Sequence, residues 1–327
     1  MSTYQALWVT ETPQFAQKVI ERSLDDLPEG EVLIRVHYSS LNYKDALSAT
    51  GNRGVTRQFP HTPGIDAAGV VEHSNVAEFV AGDEVIVTGY DLGMNTYGGL
   101  AQYIRVPASW LIKRPSGLSL RESMILGTAG LTAALCVDKL LRAGVIPEDG
   151  PMLVTGATGG VGSVAVVLLA KLGFQVTAAT GKAEQEGFLR QLGASDVISR
   201  AALLEGMDKA LLKPKWAGIV DTVGGDLLFN TLKALQPGAS AACCGLTAGV
   251  DFKGSVLPFI LRGVNLLGVD SVELPLVNKA SMWDKLSLQW KLDLEPLVHE
   301  ISLTEVPEAI IAMLASQQVG RTLVRID

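Results

Sequence analysis

Glycines 156, 159 and 162, in the run Met152-Leu153-Val154-Thr155-Gly156-Ala157-Thr158-Gly159-Gly160-Val161-Gly162, have the spacing of a pyrophosphate cradle. The three apolar residues read as a short strand, and the glycines as a tight turn whose amides can approach an anion. The residues after the turn read as a helix packed against that strand. The N-terminus of such a helix offers free N–H groups and a partial positive charge, which favour phosphate oxygens. Glycine also punctuates ordinary turns, so the triplet is informative only with its flanks. Those flanks fit: Ser163 to Leu172 are mostly small or apolar, Gly173 stands where a helix cap belongs, and Phe174 to Ala179 reads as the next strand. Gly156, Thr158, Gly159, Gly160, Val161 and Gly162 are therefore expected to hold a dinucleotide.

The tip of that next strand selects the dinucleotide. A carboxylate there bonds a ribose 2′-hydroxyl and repels a 2′-phosphate. This chain has Thr180-Gly181-Lys182 instead, with Arg200 just after a third strand candidate, Asp196 to Ile198. Such hydroxyl and cationic groups suit a 2′-phosphate, so NADPH is the expected cofactor. The plainer reading of Lys182 is a solvated side chain whose field Glu184 blurs.

The elements that must position these residues fall into three parts. Up to about residue 120 the pattern alternates as strands do, at Glu31 to Tyr38, Ala67 to Glu72, Asp83 to Thr88 and Leu100 to Val106, and predicts a β-rich lobe. Leu120 to Ala143 reads as a helix closed by Gly144. Strands and helices then alternate, with strands at Ala217 to Asp221, Ala239 to Cys244 and Asn265 to Val269, giving six strands of a doubly wound parallel sheet. The tail predicts a helix (Lys279 to Leu292), a strand (His299 to Leu303), a helix (Val306 to Ser316) and a last strand (Arg321 to Ile326) that returns to the β lobe. The expected fold is thus α/β, divided at 1–125, 126–271 and 272–327.

Composition narrows the partners. The chain has 327 residues, 48% of them hydrophobic, enough for two cores. A net charge of -7 without a basic block argues against nucleic acid or an anionic membrane surface. The longest apolar run, Val164 to Ala170, is too short to span a bilayer. The start, MSTYQALWVTETPQ, has neither the basic residues nor the apolar core of a signal peptide. The three cysteines, Cys136, Cys243 and Cys244, form no even framework, which fits a reducing, cytoplasmic setting. Cys243 and Cys244 have no neighbouring base in sequence and read as small core residues rather than nucleophiles.

Taken in order, SSLNYKDAL (39–47), PGIDAAGVV (63–71), GTAGLTAALCV (127–137) and TGATGGVGS (155–163) resemble the medium-chain dehydrogenase/reductase superfamily, in its quinone oxidoreductase-like branch. DTVGG (221–225), PFILRGV (258–264), GVDS (268–271) and GRTLV (320–324) narrow the resemblance to the NADPH-dependent acrylyl-CoA reductase group. The resemblance covers nearly the whole chain and implies a GroES-like catalytic domain beside a Rossmann domain. It also points to what is missing. Zinc members of the superfamily place a Cys near Ser40 to Asn42, a His-Glu pair at Ile65-Asp66, and four Cys within about residues 90 to 112. None of those thiols is present, and His37, His61, His73 and His299 are too scattered to replace them, so no metal site is expected.

Without a Lewis acid, the chemistry easier to arrange is hydride transfer to a conjugated C=C, with hydrogen-bond donors stabilising charge on the carbonyl oxygen. The resemblance lays Asn42-Tyr43-Lys44-Asp45 beside the nicotinamide. Tyr43 then either donates its phenol proton to the substrate or forms a packing wall for the ring. Asn42 offers an uncharged amide donor, while Asp45 orients neighbours and Asp66 is read as structural. Leu246, after the fifth strand, and Ser271, after the sixth, are expected to meet the cofactor through their backbones. Arg321 in GRTLV could meet a phosphate or a carboxylate, although an Arg in an exposed terminal strand is usually solvated. A homodimer is expected through the apolar sixth strand. The expected function is reduction of a short enoyl thioester or quinone, the alternative being an NADPH-binding sensor or structural protein without turnover.

Overall fold

A computed structural model describes residues 2–12 and 14–326, which form two compact units. The first comprises the chain up to Thr128 together with Ser271 onward, and the second comprises Ala129–Asp270.

In the first unit, β1 (Thr3–Thr10) and β2 (Ala16–Ser23) form an antiparallel hairpin. There follow β3 (Val32–Leu41), α1 (Tyr43–Ala49), β4 (Asp66–Ser74), β5 (Glu84–Thr88), β6 (Tyr103–Val106), β7 (Ile112–Lys113) and the start of α2 (Leu120–Arg142). The second unit holds the rest of α2, then β8 (Met152–Val154), α3 (Gly160–Lys171), β9 (Val176–Thr180), α4 (Glu186–Gln191), β10 (Asp196–Ser199) and β11 (Trp216–Asp221). It closes with α5 (Gly225–Leu232), β12 (Leu235–Cys243), α6 (Leu257–Arg262) and β13 (Asn265–Gly268). The tail, α7 (Leu276–Ser287), β14 (Val298–Ser302), α8 (Val306–Leu314) and β15 (Arg321–Arg325), belongs to the first unit.

The second unit is one parallel sheet, ordered β10-β9-β8-β11-β12-β13. The order reverses between β8 and β11, the position where open α/β sheets bind ligands at the strands' carboxyl ends. The first unit carries a seven-stranded sheet, ordered β14-β15-β3-β4-β5-β7 with β6 also on β3. Its core includes Leu7, Val32, Ile34, Leu41, Ala46, Ile104 and Val324. The returning tail is tied there by Lys279, whose buried ammonium donates to Thr88 O at 2.7 Å and Val272 O at 2.8 Å and lies 3.3 Å from the Tyr90 ring centre.

Several sequence expectations change. β1 lies in the segment read only for its lack of leader features, and β2 follows that segment; consecutive buried Ala6 and Leu7 interrupt the alternation that marks a strand. β6 is shorter than Leu100 to Val106, because Leu100 O accepts from Leu7 N instead. The helix read over Leu120 to Ala143 is broken at Gly127, where φ is +51° and ψ -156°. By length and composition α2 could also cross a membrane, unlike the shorter apolar run singled out in sequence. Its apolar window is 89% buried inside the protein, as in a core helix.

Candidate functional site

In the second unit the glycine turn leaves β8 through Thr155, whose hydroxyl donates to Asp221 Oδ1 at 2.7 Å and whose carbonyl accepts from Thr222 Oγ1 at 2.8 Å. These bonds splice the ends of β8 and β11 where the strand order reverses. Gly156 has φ +59°, a conformation that favours glycine, and a Cβ on it would run into Thr222 Oγ1. A Cβ on Gly162 would strike Gly156 O, so α3 packs directly on the turn. Gly159 is the N-cap residue of α3 and supplies no side-chain cap, leaving the helix's first amides, those of Gly160, Val161 and Gly162, without a side-chain partner from that residue. An uncapped helix of twelve residues pressed on a tight glycine turn fits a pyrophosphate.

At the tip of β9 the hydroxyls of Thr158 and Thr180 are 3.2 Å apart, and Thr180 Oγ1 accepts from Lys182 N at 3.0 Å. Thr180 is thus buried and engaged, and it shapes the tip rather than offering a free hydroxyl. A Cβ on Gly181 would stand 2.9 Å from Arg200 Nη2, so Arg200 lies as close to the tip as a glycine permits, beside the half-buried Lys182. Burial lowers the pKa of Lys182, with Glu184 acting the other way. Two cations without a carboxylate at positions 180–182 fit a 2′-phosphate.

Leu246 belongs to this unit, with an exposed side chain after β12. The neighbouring chain is pressed close: Gly224 pairs with Gly249, and Ala248 N donates to Val223 O at 2.8 Å. Ser271 falls in the other unit and is buried. Asp221, not chosen from the sequence as a site residue, accepts from Thr155 Oγ1 and from Gly224 N at 2.8 Å, and burial pushes its carboxyl up. Its signal was its place in DTVGG, at the end of a strand. Burial also pushes Cys243 up to about 11, and Cys136 is raised by its contact with Cys244 and by burial. Thiols held protonated in this way are poor nucleophiles.

The first unit carries a buried polar cluster at the start of α1. Asn42 is the N-cap residue, with extended backbone, and its N–H donates to Asp45 Oδ2 at 2.8 Å. Asp45 Oδ1 accepts from Ile65 N at 2.9 Å. Burial, then the Asp66 carboxylate, push Asp45 up to about 7, while its bonds from Asn42 and Ile65 work downward. Asp66 collects four donors: Ser40 Oγ at 2.6 Å, Asn42 Nδ2 at 2.8 Å, Thr128 N at 2.9 Å and Thr128 Oγ1 at 2.5 Å. The break at Gly127 turns Thr128 toward that carboxylate, and a Cβ on Gly127 would clash with Asp66 Oδ2 and Ser40 Oγ.

Two expectations are corrected here. The Asn42 amide group bonds Ser40 O at 3.2 Å and Asp66, so its donors are committed inward instead of facing a substrate. Arg321 is 2% exposed, because β15 is flanked by β14 and β3 rather than lying at an edge. Tyr43 differs from both: at the first turn of α1 it is 39% exposed, and it alone of Asn42, Tyr43 and Asp45 presents its side chain outward. Lys44, beside it, reaches Met94 Sδ at 3.9 Å. Among the described residues no three of His, Cys, Asp and Glu are grouped to hold a metal ion.

Residues 28–116 match the alcohol dehydrogenase GroES-like domain, and residues 160–287 match the zinc-binding dehydrogenase family. YhfP of Bacillus subtilis, which carries a provisional quinone oxidoreductase name, is 48% identical over 93% of both chains. A probable acrylyl-CoA reductase, AcuI of Escherichia coli, is 47% identical over 94% of this chain and 95% of its own. Among solved structures, the yhdH oxidoreductase of Salmonella enterica in complex with NADP superposes with a TM-score of 0.96 at 45% identity, covering 99% of this chain and 100% of that one. Bacillus subtilis YhfP with NAD bound gives a TM-score of 0.97 at 46% identity over the full length of both.

Proposed function

This chain belongs to the medium-chain dehydrogenase/reductase superfamily, and from that premise we propose that it is an NADPH-dependent reductase of the activated C=C of a short enoyl thioester such as acrylyl-CoA, with quinones and enones as neighbouring substrates. The observation that carries the cofactor reading is the strand tip at Thr180-Gly181-Lys182, which lacks a carboxylate and has Arg200 against Gly181. Gly156, Gly159, Gly160, Val161 and Gly162 would hold the pyrophosphate, Lys182 and Arg200 the 2′-phosphate, and Leu246 and Ser271 the nicotinamide end. NADPH, when bound, supplies the hydride.

The protein's own contribution is to place a donor where negative charge develops on the substrate carbonyl. Tyr43 has the right properties, being an exposed tyrosine in the first turn of α1, a turn held by the bond from Asn42 N to Asp45. Those two residues position it and do not touch substrate. We assign the catalytic role to the β-rich domain, bounded near 1–125 and 272–327, and cofactor binding to 126–271. No step needs zinc. A cytoplasmic homodimer, formed through the edge strand β13, completes the proposal.

The test is NADPH oxidation, followed at the nicotinamide absorbance with acrylyl-CoA, a quinone and an alkenal in parallel. Turnover fastest with the thioester is expected. Absence of turnover with all three would overturn the reading.

A further inference from the structure

The cluster beneath α1 contains a cation that this chemistry does not use. β15 pairs with β3 with Thr322 opposite Leu41, which brings Arg321 level with Asn42. The guanidinium is buried. Its Nε donates to Ile125 O at 2.8 Å, Nη1 reaches Asn42 Oδ1 at 3.4 Å, and Nη2 has no hydrogen-bond partner among the described residues. A guanidinium can only donate and a carboxylate only accept. The Asn42 carboxamide lies between the two kinds of group, its oxygen toward Arg321 and its nitrogen on Asp66 Oδ2. Opposite charges at its two ends therefore fix which way that amide faces. Since Asn42 is the N-cap residue of α1, whatever fixes it also fixes the first turn, and Tyr43 is the first residue of that turn.

We propose that Arg321 is a positioning residue for the reductase reaction: its buried guanidinium locks the Asn42 carboxamide and balances the Asp45 and Asp66 carboxylates, and so fixes where Tyr43 stands. The proposal rests on Tyr43 being the donor to the substrate carbonyl. The groups facing the cluster are Asp45 on α1, Asp66 on β4, Arg321 on β15, and the uncharged hydroxyls of Ser40 on β3 and Thr128 on α2. Arg321 is the cation that faces the two carboxylates, which attract it. Without it two carboxylates share a buried site with no counter-charge, and protonation of Asp45 becomes easier.

The test compares Arg321→Gln and Arg321→Lys with the parent enzyme in three measurements. NADPH affinity by fluorescence titration should not change, whereas kcat for the glutamine variant should fall about 10- to 100-fold, as small misplacements of a reacting group do. That loss should shrink in a Tyr43→Phe background, because the two residues act as one unit. In the cofactor-free protein, thermal stability of the glutamine variant should go on falling to higher pH than in the parent, and the lysine variant should keep the parent's pH dependence. A residue that only packs would lower stability equally at every pH, and that result, or an Arg321→Gln enzyme with parental kcat, overturns the proposal. If Tyr43→Phe is itself without effect, the reading of Tyr43 fails, and the pH arm still decides for or against Arg321. Should Arg321→Gln not fold, Arg321→Gln with Asp45→Asn removes the excess charge. Recovery of folding by the pair supports the proposal, and failure to recover, where Asp45→Asn alone folds, opposes it.

Discussion

Gly181 and Arg200 share one spot at the tip of β9, where a Cβ on the glycine would come 2.9 Å from Arg200 Nη2. The missing side chain lets the guanidinium lie against the backbone next to Lys182, and the pair forms a cationic seat. Replacing either Lys182 or Arg200 by Ala should therefore weaken NADPH binding by about 1.5–3 kcal/mol, the size of one charge-assisted bond, and leave NADH nearly unaffected. Kinetics with both cofactors check this. Equal kcat/KM for NADH and NADPH in the parent enzyme would sink the assignment.

Asp45 gives the fold a pH dependence of definite sign. Its carboxyl is raised from 3.8 to about 7 in the folded chain, so the native state binds the extra proton between those values. The stability this group contributes is full below the lower value and is lost as pH rises through the upper one. Asp45→Asn cannot titrate, but it sets an NH2 against one of two backbone donors, at a cost of about 1–3 kcal/mol. The variant should melt well below the parent at about pH 5 and approach it at about pH 8. A gap in melting temperature that stays constant across that range would exclude the buried titration.

Chelation offers a separate check. Activity should survive dialysis against a strong chelator, since no grouping of ligands among the described residues replaces the thiols of the zinc enzymes. Stoichiometric zinc that leaves together with activity would contradict this.

Features that depend on near neighbours were legible in the sequence. Gly156 and Gly162 are dictated by a turn of seven residues, and β8 and β9 by short apolar runs with glycine on both sides, whereas β12 begins at Leu235, ahead of the expected Ala239, and carries Gly238 inside it. The solvated reading of Arg321 failed because its surroundings come from afar: Asn42 is 279 positions away, and the placement of β15 between β14 and β3 buries it. The donor expected of Asn42 failed for the same reason, as Asp66, which takes its amide hydrogen, arrives on another strand. Thr180 was chosen by residue type, and type does not say that Thr158 already faces it.

Assembly can be probed at β13, which pairs with β12 on one side and lies at the end of the sheet. Val256, Ile260 and Leu261, in and just before α6, are exposed in the same unit. An unpaired edge next to apolar surface suits pairing across a two-fold axis. Light scattering at micromolar concentration should give the mass of a dimer, and Leu267→Glu should reduce it to that of a monomer. A parent protein already monomeric would rule the dimer out.

The role of Tyr43 is the prediction on which the chemistry turns. Its ring is exposed while Asn42 and Asp45, on either side, are buried and bonded to each other. If the hydroxyl donates to the substrate carbonyl, Tyr43→Phe keeps the ring and removes a bond that strengthens only as charge develops. In that case kcat should fall while NADPH affinity holds. Loss of one such donor costs roughly 10²-fold or more. If the ring is only a wall for the nicotinamide, Phe should serve as well as Tyr, and Ala should weaken cofactor binding. Single-turnover measurements with acrylyl-CoA, together with NADPH titrations of both variants, separate the two roles. A Phe variant with parental kcat would remove Tyr43 as donor and pass the proton to water or to the substrate itself.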